Sequence, residues 1–452
     1  MAYTPLQPQI SNRARSITTD TGTGGSGMAI SDVIGYKPVD ASDIPSLVPL
    51  WYVISHRTAD EWECGYGYHD GFGAFWRMVA RDGTSGTTKV SFSAGTKDVF
   101  IDVPASVLRN INHPTHNLII NGGFDRFERQ VAGTATARAD DTYGPDRFYV
   151  LTQTASVNCE RSSVASVGTY ANWSRYAVKL TQNQVTAQRF GLAQIIESND
   201  TIPIREKEGI FHGKAMLSNG QALRYAILEW SGTADAVTSD VVNSWTNATF
   251  TAGNFFNSTT LAVLATGSIT PTANEWTDFQ ITATPTSAAN NLICFVWTEG
   301  TAAQNFTMQL TQLAMHHGGE RRDWIARPAA VEEALCRRFC QVLVGPQFHS
   351  FVQSPVIPAY VPLPAPMRST PVLSHNVTGY NAGAPGSTQV ANFNVAVGYT
   401  TITGALTVTS DYYREGECRI VLTAGTSFSG TTGAASIIYF GSDVRLILDA
   451  EL

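Results

Sequence analysis

The chain has 452 residues, 43% of them hydrophobic, and a formal net charge of −7. That length predicts roughly two to four domains, and the apolar content excludes a largely disordered chain. The acidic balance argues against nucleic acid or an anionic membrane as a partner, and no apolar run of about 18 residues is present to cross a membrane.

Charged residues make up only 15%, against about 25% in ordinary globular domains. With 38 glycines and abundant Ser and Thr, this composition suits short strands joined by turns. The expected class is all-β: several β domains including a jelly-roll sandwich, with one short amphipathic helix near 328–342. The N-terminus lacks an apolar signal region, so synthesis in a cytoplasm is expected. Cys64, Cys159, Cys294, Cys336, Cys340 and Cys418 are scattered along apolar segments and read as buried thiols.

Residues 1–27 are polar, end in TGTGGSG and read as a flexible arm. Residues 28–109 become strand-like. GYGYHDGFG reads as a β turn. Lys89–Ser93 and Asp98–Val103 read as two short strands around Ala94-Gly95-Thr96, with Val99, Ile101 and Val103 alternating with polar Lys97, Asp98 and Asp102. Glu61-Trp62-Glu63, the run Phe92–Phe100 and Pro104-Ala105 resemble a small β domain at the N-termini of phage tail-associated proteins. That resemblance implies attachment to a virus particle.

Residues 110–116 read as a linker, with Pro114 biasing its neighbour to an extended state. Residues 117–327 form the largest predicted unit. Leu118–Ile120 reads as an apolar strand followed by an Asn-Gly-Gly turn, where Gly122 and Gly123 are free to take positive φ. Pro145–Val150, Arg224–Trp230, Glu275–Ala283, Leu292–Trp297 and Phe306–Gln312 read as further strands, Leu292–Trp297 central because it is continuously apolar. NLIINGGF, PDRFYV, the Trp276-led strand and LAMHHGGERRDWIARP occur in an order that resembles jelly-roll carbohydrate-binding modules and similar modules of bacteriophage tail fibres.

Residues 328–342 show one apolar face, Val331, Leu335, Phe339 and Val342, with Glu333 and Arg337 as an i,i+4 pair. The pattern RPxxxEExxLCxRF resembles the helix that closes this module in phage fibre proteins. Residues 343–452 read as a C-terminal β domain, its PLPAPMRSTP stretch too rich in proline for a central strand. That stretch and the final DAEL also resemble fibre proteins.

No nucleophile elbow or P-loop is present, and no repeat suggests a long β-helix, so the chain is expected not to be an enzyme. Asp140-Asp141 and Glu197 are the carboxylates a glycoside hydrolase reading would use. Cys336 and Cys340 with His316 and His317 are the residues a zinc reading would use, against core packing as the simpler account. Exposed aromatics stack on sugar rings. Trp173, Tyr176, Trp230, Trp245 and Trp276 are the candidates, with Trp173 and Trp245 the least core-like because Asn and Ser flank them. The modules resembled here often hold a structural calcium, for which Asp125 and Glu128 can offer oxygens; no other cofactor is expected.

Taken together, the resemblances imply a structural component of a bacteriophage virion, a homotrimeric tail fibre or spike bound to other virion proteins and to host surface polysaccharide. The alternatives are a head fibre or connector without a receptor role, and a polysaccharide depolymerase.

Overall fold

The computed structural model describes residues 14–23, 27–41, 44, 46–101, 117–130, 133–164, 174–319, 321–322, 324–351, 356–376, 379–381, 390–395, 398–399, 402–403, 406–414, 417–424, 427–428, 435–440 and 444–452. The chain divides into two compact units, Met1–Thr115 and His116–Leu452. Almost all of the regular structure is antiparallel β. The expected linker, Pro104-Ala105 and Trp173 lie outside the described residues.

The first unit is one seven-stranded sheet: β1 (Ala14–Thr18), β2 (Met28–Ala29), β3 (Ser31–Asp32), β4 (Leu50–His56), β5 (Trp62–His69), β6 (Ala74–Gly83) and β7 (Lys97–Ile101), in the order β2-β6-β5-β4-β7-β1-β3. The predicted arm is corrected from residue 14 onward. Strand β1 alternates buried and half-buried side chains and pairs with β7 over its whole length, which fixes its register. Of the expected turn GYGYHDGFG, residues 65–69 belong to β5 and only Asp70-Gly71-Phe72-Gly73 turns β5 into β6; Gly71 and Gly73 both take positive φ, and Asp70 Oδ1 accepts from Phe72 N at 2.7 Å and Ala74 N at 3.1 Å.

The motif residues of this unit act as latches. Glu61 accepts from Ser93 N at 2.8 Å. Glu63, fully buried, accepts from Tyr52 Oη and Val90 N and pairs with Arg77 at 2.9 Å. Arg77 in turn donates to Val90 O at 2.9 Å and to Gly22 O at 3.0 Å. These bonds hold residues 90–93 without a ladder, so the strand expected at Lys89–Ser93 is only an isolated bridge between Gly22 and Phe92. Lys97 is also corrected: it shares the buried face with Val99, and its Nζ donates to Asp20 O at 2.8 Å. A buried ammonium needs such an acceptor.

The second unit is built on a sandwich. One sheet runs β16 (Leu261–Ile269), β15 (Leu223–Trp230), β18 (Asn291–Thr298), β13 (Phe190–Ile196), β10 (Tyr149–Thr152), β9 (Thr142–Tyr143). The other runs β17 (Thr277–Ala283), β14 (Gly209–Leu217), β19 (Thr307–His317), β12 (Tyr176–Thr181), β11 (Val157–Ser163), β8 (Thr136–Arg138). Inward rows from both sheets, among them Leu192, Tyr225, Cys294, Val178, Phe211 and Leu310, make one core. As its apolar run predicts, β18 is central and buried throughout. Its other row, Ile293, Phe295 and Trp297, faces outward, where residues 241–261 cover it with Val241, Phe255, Phe256 and Leu261. That second layer is why Arg224–Trp230 is buried on both faces and not on one.

Leu118–Ile120 is not a strand. The segment is buried and irregular, and its backbone is held mainly by side chains. Asn117 Oδ1 accepts from Ile119 N and Met315 N, each at 3.0 Å, and Gln194 bonds both N and O of Ile120 at 2.8 Å. The left-handed residues of the turn are Asn121 and Phe124, not the glycines. Gly122 is needed for another reason: a Cβ there would sit 2.0 Å from Leu313 O.

The helix α1 spans Ala329–Arg337 and is shorter than predicted. Phe339 turns inward with Cys336 onto Ile120, and the chain continues as a strand, Cys340–Val344, so Val331 is left 48% exposed instead of on a buried face. Glu333 and Arg337 do pair, at 2.6 Å. Arg445–Asp449 lies between Cys340–Val344 and Val372–His375 in one small sheet. Glu451 then ion-pairs with buried Arg147 and with Arg129 at 3.2 Å, so residues 343–452 cluster with the sandwich and not apart from it. Within the second unit, an eight-stranded sheet built from strands between Gln347 and Phe440 includes Val356–Pro362 paired with Glu417–Ala424. All six cysteines are buried and none forms a disulfide.

Candidate functional site

Strand alternation generates a cavity at one end of the sandwich. On β11, Val157 and Cys159 point into the core, so Arg161 and Ser163 continue the same row beyond it. On β12, Val178 and Leu180 do likewise, and Tyr176 continues that row. Register places Ser163 opposite Tyr176 and Arg161 opposite Val178. The apolar rows thus turn polar where the core ends. The opening segment supplies Gly123, Asp125 and Arg126, and the stretch into α1 supplies Trp324, Arg327 and Glu332. The space enclosed is about 850 Å³, within the usual span for small-ligand sites.

The walls are held firmly. Arg327 donates to Glu332 at 3.0 Å and to Ile119 O at 3.1 Å. Arg126 pairs with Glu128 at 3.1 Å and with Glu333. Arg161 donates to Asp125 O at 2.7 Å and stands 4.2 Å from the Tyr176 ring centroid; Arg175 stands 5.0 Å from it. Ser174 Oγ bonds Thr311 Oγ1 at 2.9 Å. Trp324, half-buried, lies against Gly123, where a Cβ would come within 3.2 Å of its ring. Partial burial, and then the neighbouring Glu332 carboxylate, raise the Asp125 carboxyl above its ordinary range. Chemically, the cavity offers an aromatic edge, hydroxyls, two carboxylates and guanidinium donors.

Of the sequence candidates, Tyr176 and Asp125 meet here. Trp230 and Trp245 are elsewhere. Both pack against the outer apolar layer. Trp245 meets Phe255 and Phe295 edge-on at 5.6 and 6.2 Å. Trp230 donates Nε1–H to Thr233 O at 2.9 Å and lines a small hollow of about 160 Å³ with Asp240 and Leu261. Trp276 is half-buried just before β17. Trp324 is not among the sequence candidates; its signal is a tryptophan among charges, RRDW, outside any alternating run.

Glu128 accepts from Arg126, and Asp125 and Glu128 belong to no group of three metal-ligating side chains among the described residues. The group that does exist is Asp140, Asp141 and Asp240, one oxygen of each within 4.8 Å of the others. Burial, and then Asp140, push Asp141 up to about 6. Glu197 is occupied by Arg338, at 2.9 and 3.1 Å. The shared helix face expected for Cys336 and Cys340 is corrected: Cys340 lies on a strand and not on the helix face of Cys336, and His316 faces His212, ring centroids 5.2 Å apart.

No protein-family model and no curated protein matches the chain. Among solved structures, the chain is similar to the TmCBM61 module in complex with β-1,4-galactotriose, at 12% identity over 45% of this chain and 100% of that one, TM-score 0.27. It is also similar to the enzymatically active domain of bacteriophage CBA120 tailspike protein 4, at 9% identity over 45% of this chain and 21% of that one, TM-score 0.27. A third likeness is to the C-terminal family 22 carbohydrate-binding module of Clostridium thermocellum Xyn10B, at 9% identity over 44% and 99%, TM-score 0.25. At such scores these likenesses decide nothing about function.

Proposed function

We propose that this chain is a structural component of a bacteriophage particle, a tail fibre or spike whose sandwich binds host-surface glycan without cleaving it. The observation that carries the binding reading is the cavity itself. It places a half-buried tryptophan, two serines, two carboxylates and several guanidinium groups around a space of sugar size. Trp324 supplies the apolar surface on which a sugar ring stacks, and the polar groups take up hydroxyls. The first unit attaches the chain to the particle, and three copies assemble, so that weak individual sites gain by multivalency. The particle and trimer parts of this reading rest on the motif resemblances, and a monomer by light scattering at micromolar concentration would count against the trimer.

The test is binding of the purified protein to intact candidate host cells and a glycan array. Trp324→Ala is expected to weaken binding at least tenfold with an unchanged melting temperature, while Trp245→Ala lowers the melting temperature and spares binding by the molecules that remain folded. Equal binding by wild type and Trp324→Ala removes the cavity from this role.

A further inference from the structure

Glycan binding alone does not account for the arginines around Tyr176. The cavity wall carries four guanidinium groups, Arg126, Arg161, Arg175 and Arg327, against two carboxylates, Asp125 and Glu332. Two of the four are spoken for: Arg327 by Glu332, and Arg126 by Glu128 and Glu333. Arg161 and Arg175 form no ion pair among the described residues. Both are instead gathered on one ring, 4.2 and 5.0 Å from the Tyr176 centroid. Arg161 is further fixed by its bond to Asp125 O, which leaves its other donors unused among the described residues. A cation over an aromatic face is held in place yet keeps its in-plane N–H groups available. Tyr176 is thus less a platform for a sugar, its ring being attended by cations, than a mount for two donors.

Resting on the glycan-binding reading, we propose that the cavity selects a sugar carrying an oxyanion, a carboxylate or phosphate substituent, with Arg161 and Arg175 as its paired donors and Trp324 under the ring. Planar guanidinium forks match both oxyanions, so the shared chemistry is the recognised feature.

Calorimetric titration of the whole chain tests this with four probes: a glucuronic-acid-containing oligosaccharide, its neutral glucose counterpart, a phosphate-substituted oligosaccharide, and inorganic phosphate alone. At least one acidic oligosaccharide is expected to bind tenfold or more tighter than the neutral one, and the two acidic probes separate carboxylate from phosphate. The preference should shrink between 50 and 500 mM salt, as charge screening grows. Arg175→Ala, a change at an exposed side chain, should bring acidic and neutral ligands to one affinity, whereas Arg175→Lys keeps part of the preference. Neutral and acidic ligands bound equally by wild type, through Trp324, would overturn this inference and leave glycan binding standing. No oligosaccharide bound at all would overturn both. Binding of inorganic phosphate without any sugar would point to an anion site and also overturn the saccharide reading.

Discussion

The second unit gathers aromatic side chains in two places, and the two are treated oppositely. On the outer face of β18, Phe295 and Trp297 pack ring on ring against Trp245, Phe250, Phe255 and Phe256 of the covering residues 241–261. At the end of β11 and β12, Tyr176 and Trp324 border an open cavity among charges. Composition does not separate these groups. What separates them is whether another stretch of chain folds over the sheet. Trp245 shows this well. Its Asn and Ser neighbours make the turns of the covering loop, Asn247 Oδ1 accepting from Thr249 N at 2.8 Å, while its ring enters the layer beneath. Polar neighbours reported a loop and not an exposed ring.

The sharpest way to break this comparison is to open the covered group. Phe255 is fully buried and stacks on Trp297 at 5.2 Å. Phe255→Ala should cost about 3–5 kcal/mol of stability, through lost burial plus an unfilled cavity. Chemical denaturation measures it. Ligand affinity per folded molecule should not change, since the cavity shares no residue with this layer. A loss below about 1 kcal/mol would mean the loop does not seal the sheet.

A second test probes the outer face of the other sheet, where no aromatic layer forms among the described residues. There His212 on β14 is buried against His316 on β19. Burial, then the neighbouring imidazole, lowers the His212 pKa from 6.5 to about 3. The sign follows. In the unfolded chain His212 takes a proton near pH 6.5, and in the folded chain it resists down to about 3. Stability present above pH 6.5 is therefore lost as the pH falls between those values, by up to about 1.4 kcal/mol per pH unit. Denaturant midpoints from pH 7 to pH 4 would show the slope, and His212→Gln should flatten it. An unchanged slope in the variant would assign the loss to other groups.

Much of the fold was legible because it rests on alternation, central apolar strands and turn chemistry, as in β18 and the Asp70–Gly73 turn. Two of the errors share one cause, which is backbone held by side chains from far away in sequence. Leu118–Ile120 looked like a strand, yet Asn117 and Gln194 replace the ladder, 74 residues separating Gln194 from Ile120. Lys89–Ser93 failed in the same way, through Glu61 and Glu63. Residues 14–18 looked like an arm because a five-residue strand of ARSIT carries little apolar signal until β7 is beside it. The site was half legible. Tyr176 and Asp125 were found as an aromatic and a carboxylate, but only the register of β11 on β12 shows that Arg161 and Tyr176 share a face.

The smallest expected effect sharpens the contrast from the cavity side. Glu333 pairs with both Arg126 and Arg337 at the surface. Exposed pairs of this kind contribute about 0–1 kcal/mol, so Glu333→Gln should barely move the melting temperature. It should nonetheless act on the cavity, because it removes one of the two carboxylates that hold Arg126 and takes away a negative charge near the wall. Affinity for an acidic oligosaccharide should therefore rise two- to threefold, equivalent to about 0.4–0.7 kcal/mol, while the neutral counterpart is unmoved. The covered aromatic layer has no such response, since its only charged neighbour by ring contact among the described residues is Arg224 over Phe250 at 4.1 Å, itself paired with Glu299 at 3.0 Å. A fall in acidic affinity on removing this carboxylate would mean that Arg126 is needed where Glu333 holds it. The wall would then act through fixed position and not through net charge.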